Sequence, residues 1–216
     1  MRKIFALSIL GALALGSCAL SFGGDVEETW EITGDDKESC TKIYEDFWAK
    51  TIAQTNYTVE MKSGDKLMLT EKMDGDKSYF LQENGTENWL CKEGEKFSYL
   101  VKSTSTQVKR EITKDDYDTY RPYYYNEIMS LDGAPSTGVT WSAKVEGQGT
   151  NIGTTKEKSS AKLTFSVTMN GVTASMEAGA TDGLARKFLY TSLGESVTGD
   201  LTYGGVTITL PDTSNW

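Results

Sequence analysis

The fold is decided by residues 56–102, which read NYTVEMKSGDKLMLTEKMDGDKSYFLQENGTENWLCKEGEKFSYLVK. Apolar and polar residues alternate here in short runs, which is the period of a strand with one buried face. Asp74-Gly75 and Asn84-Gly85 separate some of these runs, and both dipeptides are typical of tight hairpin turns. Because such turns join antiparallel neighbours, this stretch predicts a meander of antiparallel strands.

The same alternation resumes in the second half of the chain, where Asn170-Gly171 is another hairpin signal. Further strands are predicted at 138–147, 160–169, 172–178, 184–193 and 205–210. The pattern therefore predicts a mainly β (α+β) fold, with a single curved antiparallel sheet of about ten or eleven strands.

Two segments break the alternation, and both predict helices that cover the sheet. A helix is predicted from Asp35, the expected N-cap, with Glu38 completing a capping box. Its apolar residues follow helical spacing and are Cys40, Ile43, Tyr44, Phe47, Trp48 and Ile52. The second segment, residues 113–137, predicts a short helical insert that is rich in tyrosine.

The N-terminus has the features of a secretory signal. Arg2 and Lys3 precede an apolar run of about 12 residues, which is too short to span a bilayer. Leu15-Gly16-Ser17-Cys18 resembles the lipobox of bacterial lipoproteins, in which the cysteine is acylated. Residues 1–17 are therefore predicted to be removed, with Cys18 as the lipid anchor. An ordinary signal peptide, cleaved after Ala14 with Cys18 incidental, is the alternative.

This N-terminus sets the expected location and organisation of the chain. The protein is predicted to be extracytoplasmic and lipid-anchored to a bacterial membrane, which would be its first partner. Residues 18–34 carry Gly23, Gly24 and several acidic side chains, and they predict a tether between the anchor and the folded domain.

Composition excludes several classes of function. The 216 residues include no His, and the formal net charge is −9. The lack of His removes Ser-His-Asp and Cys-His catalytic sets, and three Cys are too few for an all-thiolate zinc site. The acidic balance argues against a nucleic-acid partner. No catalytic residues, metal site or cofactor are predicted.

Cys40 and Cys91 remain once Cys18 is assigned to the lipid. An oxidising compartment permits a disulfide between them. The alternative is a pair of free, buried thiols that pack as small apolar side chains. The sequence leaves both alternatives open.

The order of these features resembles a known family. A lipobox, a tether and an amphipathic helix precede NYTVEMK, KMDGDKSYF and TENWLCKEGEKFSYLV, and VTITLP closes the chain. This order is similar to the outer-membrane lipoprotein carrier superfamily of LolA and LolB. The resemblance covers residues 35–211 and leaves 212–216 as a tail. It implies a half barrel whose helices close an apolar cavity for acyl chains, without catalysis.

A cavity of that kind would be lined by aromatic and aliphatic side chains of the covered face. The candidates are Phe47, Trp48, Trp89, Trp141, Phe165 and Val167. Ordinary core packing is the alternative for each of them.

Three hypotheses about function follow. The first is a lipid-anchored binding protein that holds a lipid or other hydrophobic ligand in an apolar pocket of several hundred cubic ångströms. The second is a surface or sensory protein-interaction lipoprotein, which would expose the tyrosines of Tyr117–Tyr125 to a protein partner. The third is a secreted hydrolase, which would need clustered carboxylates with strongly shifted pKa values in a cleft.

Overall fold

The protein folds as one mainly β domain in a computed structural model that describes residues 28–129, 131, 137–149 and 160–216. Within these residues, all twelve strands belong to one antiparallel sheet, accompanied by two α-helices and a short π-helical turn. The elements are β1 (Glu28–Gly34), α1 (Lys37–Ile52), β2 (Asn56–Ser63), β3 (Lys66–Asp74), β4 (Lys77–Gln82), β5 (Glu87–Glu93), β6 (Lys96–Lys102), β7 (Gln107–Ile112), α2 (Lys114–Thr119), the π turn (Tyr125–Met129), β8 (Val139–Gly149), β9 (Ser160–Met169), β10 (Val172–Thr181), β11 (Leu184–Ser192) and β12 (Glu195–Tyr203). The predicted class and single antiparallel sheet are thus confirmed.

The sheet consists of two meanders that meet in its middle. The strand order is β1-β8-β9-β10-β11-β12-β2-β3-β4-β5-β6-β7, so β12 pairs with β2 and the edges are β1 and β7. The insert, residues 113–129, follows edge strand β7. Helix α1 packs mainly on β8, β1 and β11, and the insert covers the β3–β6 region of the same face. We call this covered side the inner face.

The predicted tether is wrong in its last part. Residues Glu28–Gly34 form edge strand β1, which pairs along its length with β8. Trp30 lies directly opposite Gly147, and a Cβ on that glycine would come within 2.5 Å of the Trp30 ring. Because Gly147 has no side chain, the indole of Trp30 can lie across the neighbouring strand. This packing stabilises an otherwise polar edge of the sheet. The signal peptide and Cys18 lie outside the described residues.

Helix α1 begins one residue later than predicted. Asp36 is the N-cap, its side chain accepts from the backbone N–H of Ser39, and Ser39 completes the capping box. The predicted pair was Asp35 and Glu38. The helix buries one face, formed by Cys40, Tyr44, Trp48 and Thr51.

The C-terminal segment, residues 204–216, covers the outer face of the sheet. The prediction of a strand at residues 205–210 is wrong. Side chains of the sheet, rather than a neighbouring strand, accept from the backbone N–H groups of this segment. Asn56 accepts from the backbone N–H of Val206, and Asp74 accepts from that of Ile208, both at 3.0 Å. The apolar side chains of the segment pack beside Trp89 and Leu100.

Leu193 occupies an unfavourable position in the turn between β11 and β12. Its φ is +53° and it is 79% exposed, whereas the corresponding hairpin residues Asn170 and Asp182 tolerate that backbone well. We expect Leu193→Asn to raise the free energy of unfolding by about 1 kcal/mol because it relieves this backbone strain. Urea denaturation measures the change. Leu193→Ala removes the same exposed apolar surface without relieving the strain, so an equal gain in that variant would contradict the explanation.

Candidate ligand-binding cleft

The side chains predicted to line a cavity beneath α1 fill that space instead. Trp48, Trp141 and Phe165 are buried, and Phe47 and Val167 pack against the same core cluster. Their rings touch, with centroids 5.5 Å apart for Phe47 and Trp48 and 6.1 Å apart for Trp141 and Phe165. None of the five lines either of the clefts described below. Ordinary core packing is therefore the alternative that holds here.

Trp89 lies on the wrong side of the sheet for a cavity residue. It packs on the outer face against Tyr79 and Trp216, with ring centroids 5.4 and 6.5 Å away. Strand β5 buries consecutive side chains from Trp89 to Cys91, so both of its faces are covered. Because both faces are apolar, alternation alone does not say which one meets the helices.

The two cysteines are free, buried thiols, which is the second of the two alternatives that the sequence left open. Cys40 belongs to the inner core cluster, whereas Cys91 belongs to the outer cluster under the C-terminal segment. Burial raises the pKa of the Cys40 thiol to about 11, and it also raises the pKa of Cys91. Both thiols therefore act as small apolar side chains in separate clusters.

A cleft of about 150 Å³ lies between the insert and strands β4–β7 on the inner face. Its lining residues are Phe80, Gln82, Asn88, Leu90, Tyr99, Arg110, Tyr120 and Tyr123. A cavity of about 150 Å³ is large enough to admit a benzene ring. It is smaller than the pocket of several hundred cubic ångströms expected from the sequence.

The walls of the cleft are mainly aromatic. Phe80 of β4 and Tyr123 of the insert are in contact, with ring centroids 5.1 Å apart. On the other side, the guanidinium of Arg110 lies 5.0 Å above the ring of Tyr99, a cation–π arrangement. Tyr120 is 37% exposed, so one wall of the cleft is accessible from solvent.

Asn88 is a buried polar residue of the cleft wall, and its side-chain amide lacks one hydrogen-bond partner within the described part of the chain. It is 4% exposed, and its Oδ1 accepts from the hydroxyl of Tyr99 at 2.7 Å. Its Nδ2 finds no acceptor among the described residues. A buried donor without a partner costs about 1–3 kcal/mol.

A second, more open groove continues from the cleft beside edge strand β7. Arg110 and Tyr120 border both spaces. The groove is completed by Glu111, Ile112, Thr113 and Asp116. A ligand with one end in the cleft could extend its other end along this groove.

A buried carboxyl fixes the insert above the cleft. Glu71 of β3 is 0% exposed and accepts from the hydroxyl of Tyr57 at 2.6 Å and from the backbone N–H of Tyr124 at 2.7 Å. Burial raises the pKa of this carboxyl to about 7, against the opposing effect of those hydrogen bonds. Glu71 was not among the predicted site residues, although an acidic residue at an inward strand position was the available signal.

Arg121 gives the insert a further attachment to the sheet. Its guanidinium bonds to the hydroxyl of Tyr117 and to the carbonyl of Gly75, the residue that follows β3. Tyr44 of α1 also donates to the carbonyl of Met129 at 2.9 Å. These bonds hold Tyr120 and Tyr123 in position over the strands.

The tyrosines of Tyr117–Tyr125 do not form an exposed patch, as the protein-interaction hypothesis required. Tyr117 and Tyr124 are buried, with exposures of 4% and 0%. Tyr123 and Tyr125 are half-buried and pack against the inner core. The segment is thus a cover for the sheet, and its geometry does not favour a protein-docking surface.

Within the described ranges, no three His, Cys, Asp or Glu side chains are grouped so that they could hold a metal ion. Across the same part of the chain, no helix is both long enough and apolar enough to cross a membrane.

Comparisons with known proteins leave the cleft to be interpreted from its own chemistry. The resemblance to the lipoprotein carrier superfamily stays a prediction. No protein-family model, no curated protein and no solved structure matches this chain.

Proposed function

We propose that the protein is a lipid-anchored, non-catalytic binding protein of a bacterial cell envelope. It holds a lipid or other hydrophobic ligand by one end in the cleft between the insert and strands β4–β7. The observation that carries this proposal is a cleft with a mainly aromatic wall, bordered by Arg110 and by the amides of Gln82 and Asn88. Apolar walls with a few placed polar groups are typical of small-molecule sites.

The size of the cleft limits what enters it. A volume of about 150 Å³ accommodates a single ring or a comparably short apolar group. The rest of a longer ligand would lie in the open groove beside β7. The protein therefore grips the end of its ligand rather than enclosing the whole molecule.

The N-terminal sequence supports a location at a membrane surface. The basic and apolar run before Leu15-Gly16-Ser17-Cys18 is the pattern expected of a lipoprotein precursor. Acyl chains on Cys18 would hold the domain at a bilayer, since each buried methylene contributes about 0.8 kcal/mol. A binding site close to the bilayer has direct access to apolar molecules.

Native mass spectrometry of the full chain, purified from membranes, tests the proposal. We expect a non-covalently bound apolar molecule on the wild-type protein, together with acyl chains on Cys18. Tyr120→Ala opens one wall of the cleft, and we expect it to reduce ligand occupancy about fivefold or more. Leu189→Ala is the matched control, because Leu189 is equally exposed, at 37%, and lies on β11 away from the cleft.

The two readouts, ligand occupancy and acylation of Cys18, are independent of each other. A wild-type protein without any bound molecule would overturn the binding function. Equal occupancy in Tyr120→Ala and Leu189→Ala would place the ligand elsewhere on the protein. An unmodified Cys18 would overturn the lipid anchor and leave the cleft untouched.

A further inference from the structure

The charge around the cleft differs from that of the whole chain. The sequence has 31 Asp and Glu against 22 Lys and Arg, yet none of the described residues that line the cleft is acidic. Among them Arg110 alone is charged, and it is accompanied by the amides of Gln82 and Asn88. Glu111 and Asp116 border the adjoining groove, so the cationic, donor-rich part is the cleft itself. It favours an anionic group on the end of the ligand that enters it.

Arg110 is available for such a ligand. Its guanidinium lies above the Tyr99 ring and makes no ion pair with a carboxylate of the described residues. The hydroxyl of that tyrosine donates to Asn88, so the three residues form one connected polar edge along the cleft. A guanidinium matches the two oxygens of a carboxylate, and an amide N–H matches a further lone pair.

The rest of the lining selects the apolar part of the ligand. Aromatic rings supply half of the wall, namely Phe80, Tyr99, Tyr120 and Tyr123. Rings attract other rings in tilted or offset arrangements, and the volume of the cleft is that of one ring. Flat aromatic groups therefore fit this wall better than a flexible acyl chain does.

We infer that the ligand is an aromatic carboxylate, with its ring against Phe80 and Tyr123 and its carboxylate bound by Arg110. This inference rests on the proposed binding function and names the ligand class of the same cleft. The carboxylate would accept from the guanidinium of Arg110, which lies above the Tyr99 ring at the edge of the cleft.

Isothermal titration calorimetry with three probes tests the ligand class. The full-length protein is kept in detergent, and the heats measured with detergent alone are subtracted. The probes are hydrocinnamate, its neutral amide hydrocinnamamide, and octanoate. We expect hydrocinnamate to bind about tenfold more tightly than either of the others, because only it offers both the ring and the charge. Arg110→Gln should remove this advantage over the amide.

Lys109→Gln is the matched control. Lys109 precedes Arg110 on β7, so it carries the same charge but points to the opposite face of the sheet. We expect the control to bind hydrocinnamate as the wild type does. Equal losses in both variants would show that net charge, rather than the cleft, attracts the anion, and would overturn the inference.

The remaining outcomes separate the ligand class from the function itself. Equal binding of hydrocinnamate and hydrocinnamamide would overturn the carboxylate. Tighter binding of octanoate would overturn the aromatic ring, while the proposed function would survive. If none of the probes binds, the ligand class is overturned, and the native mass spectrum decides separately whether the binding function is overturned too.

Discussion

Replacing Glu71 with alanine is expected to lower the free energy of unfolding by about 3–5 kcal/mol. The side chain is completely buried, and its oxygens accept from the hydroxyl of Tyr57 and the backbone N–H of Tyr124. Alanine would leave a cavity and two buried donors without an acceptor, and each orphaned donor adds its own desolvation cost. Urea denaturation at a pH below about 5 measures the loss.

The charge of Glu71 makes a separate contribution, which depends on pH. Burial raises the pKa of the folded carboxyl to about 7 from an ordinary value of 4.5. Between these values the folded protein keeps a proton that the unfolded chain has released. The stabilising contribution is therefore complete below about pH 4.5 and is lost as the pH rises through about 7, a total of about 3 kcal/mol.

Glu71→Gln isolates this pH dependence. The glutamine side chain retains the shape, and it can accept from Tyr124 while donating to the hydroxyl of Tyr57. We expect the fall in stability between about pH 4.5 and 7 to become much shallower in this variant. Glu87→Gln is the control, since Glu87 also bonds to a tyrosine hydroxyl, that of Tyr79, but is half-buried. An unchanged slope in Glu71→Gln would assign the effect to other groups.

Local sequence signals predicted most of the sheet. Most of the runs at β2–β6 and β8–β11 alternate, and several end in turn dipeptides, so these strands are visible without their neighbours. Of the three strands that were missed, β1 was interpreted as a tether, and β7 and β12 share a physical reason. Edge strand β7, QVKREI, exposes nearly all of its side chains and carries no apolar stripe. Strand β12, ESVTGDLTY, is rich in small polar residues. Such strands depend on their partners rather than on their own pattern.

The candidate cleft shows the same limit. The tyrosine-rich insert could be predicted as a cover, because its composition breaks the alternation. In the sequence, Asn88 is indistinguishable from an ordinary polar strand residue. Only the pairing of β4 with β5 places it opposite Phe80 on the inner face. The same pairing places Trp89 with Tyr79 on the outer face. Register between strands is a long-range property, so the face of each residue was not available locally.

Replacing Trp48 with alanine is expected to lower the free energy of unfolding by about 3–5 kcal/mol. The indole is 0% exposed and packs on Tyr44 and Phe188, with ring centroids 6.3 and 6.1 Å away. The Phe188 ring in turn lies across Gly199, where a Cβ would come within 2.1 Å of it. Because the ring is held between the indole and the glycine, removal of Trp48 leaves a cavity beneath α1.

Phe47→Ala serves as the comparison for this variant. Phe47 is the adjacent residue of α1, it is only partly buried, and it packs edge-on against Trp48 with centroids 5.5 Å apart. We expect it to cost clearly less than Trp48→Ala in the same urea titration. If Trp48 lined a ligand cavity, its replacement would leave stability nearly unchanged and abolish ligand binding. If Trp48 is a core residue, its replacement should cause a large loss of stability. The protein that remains folded should then bind ligand in the cleft as the wild type does.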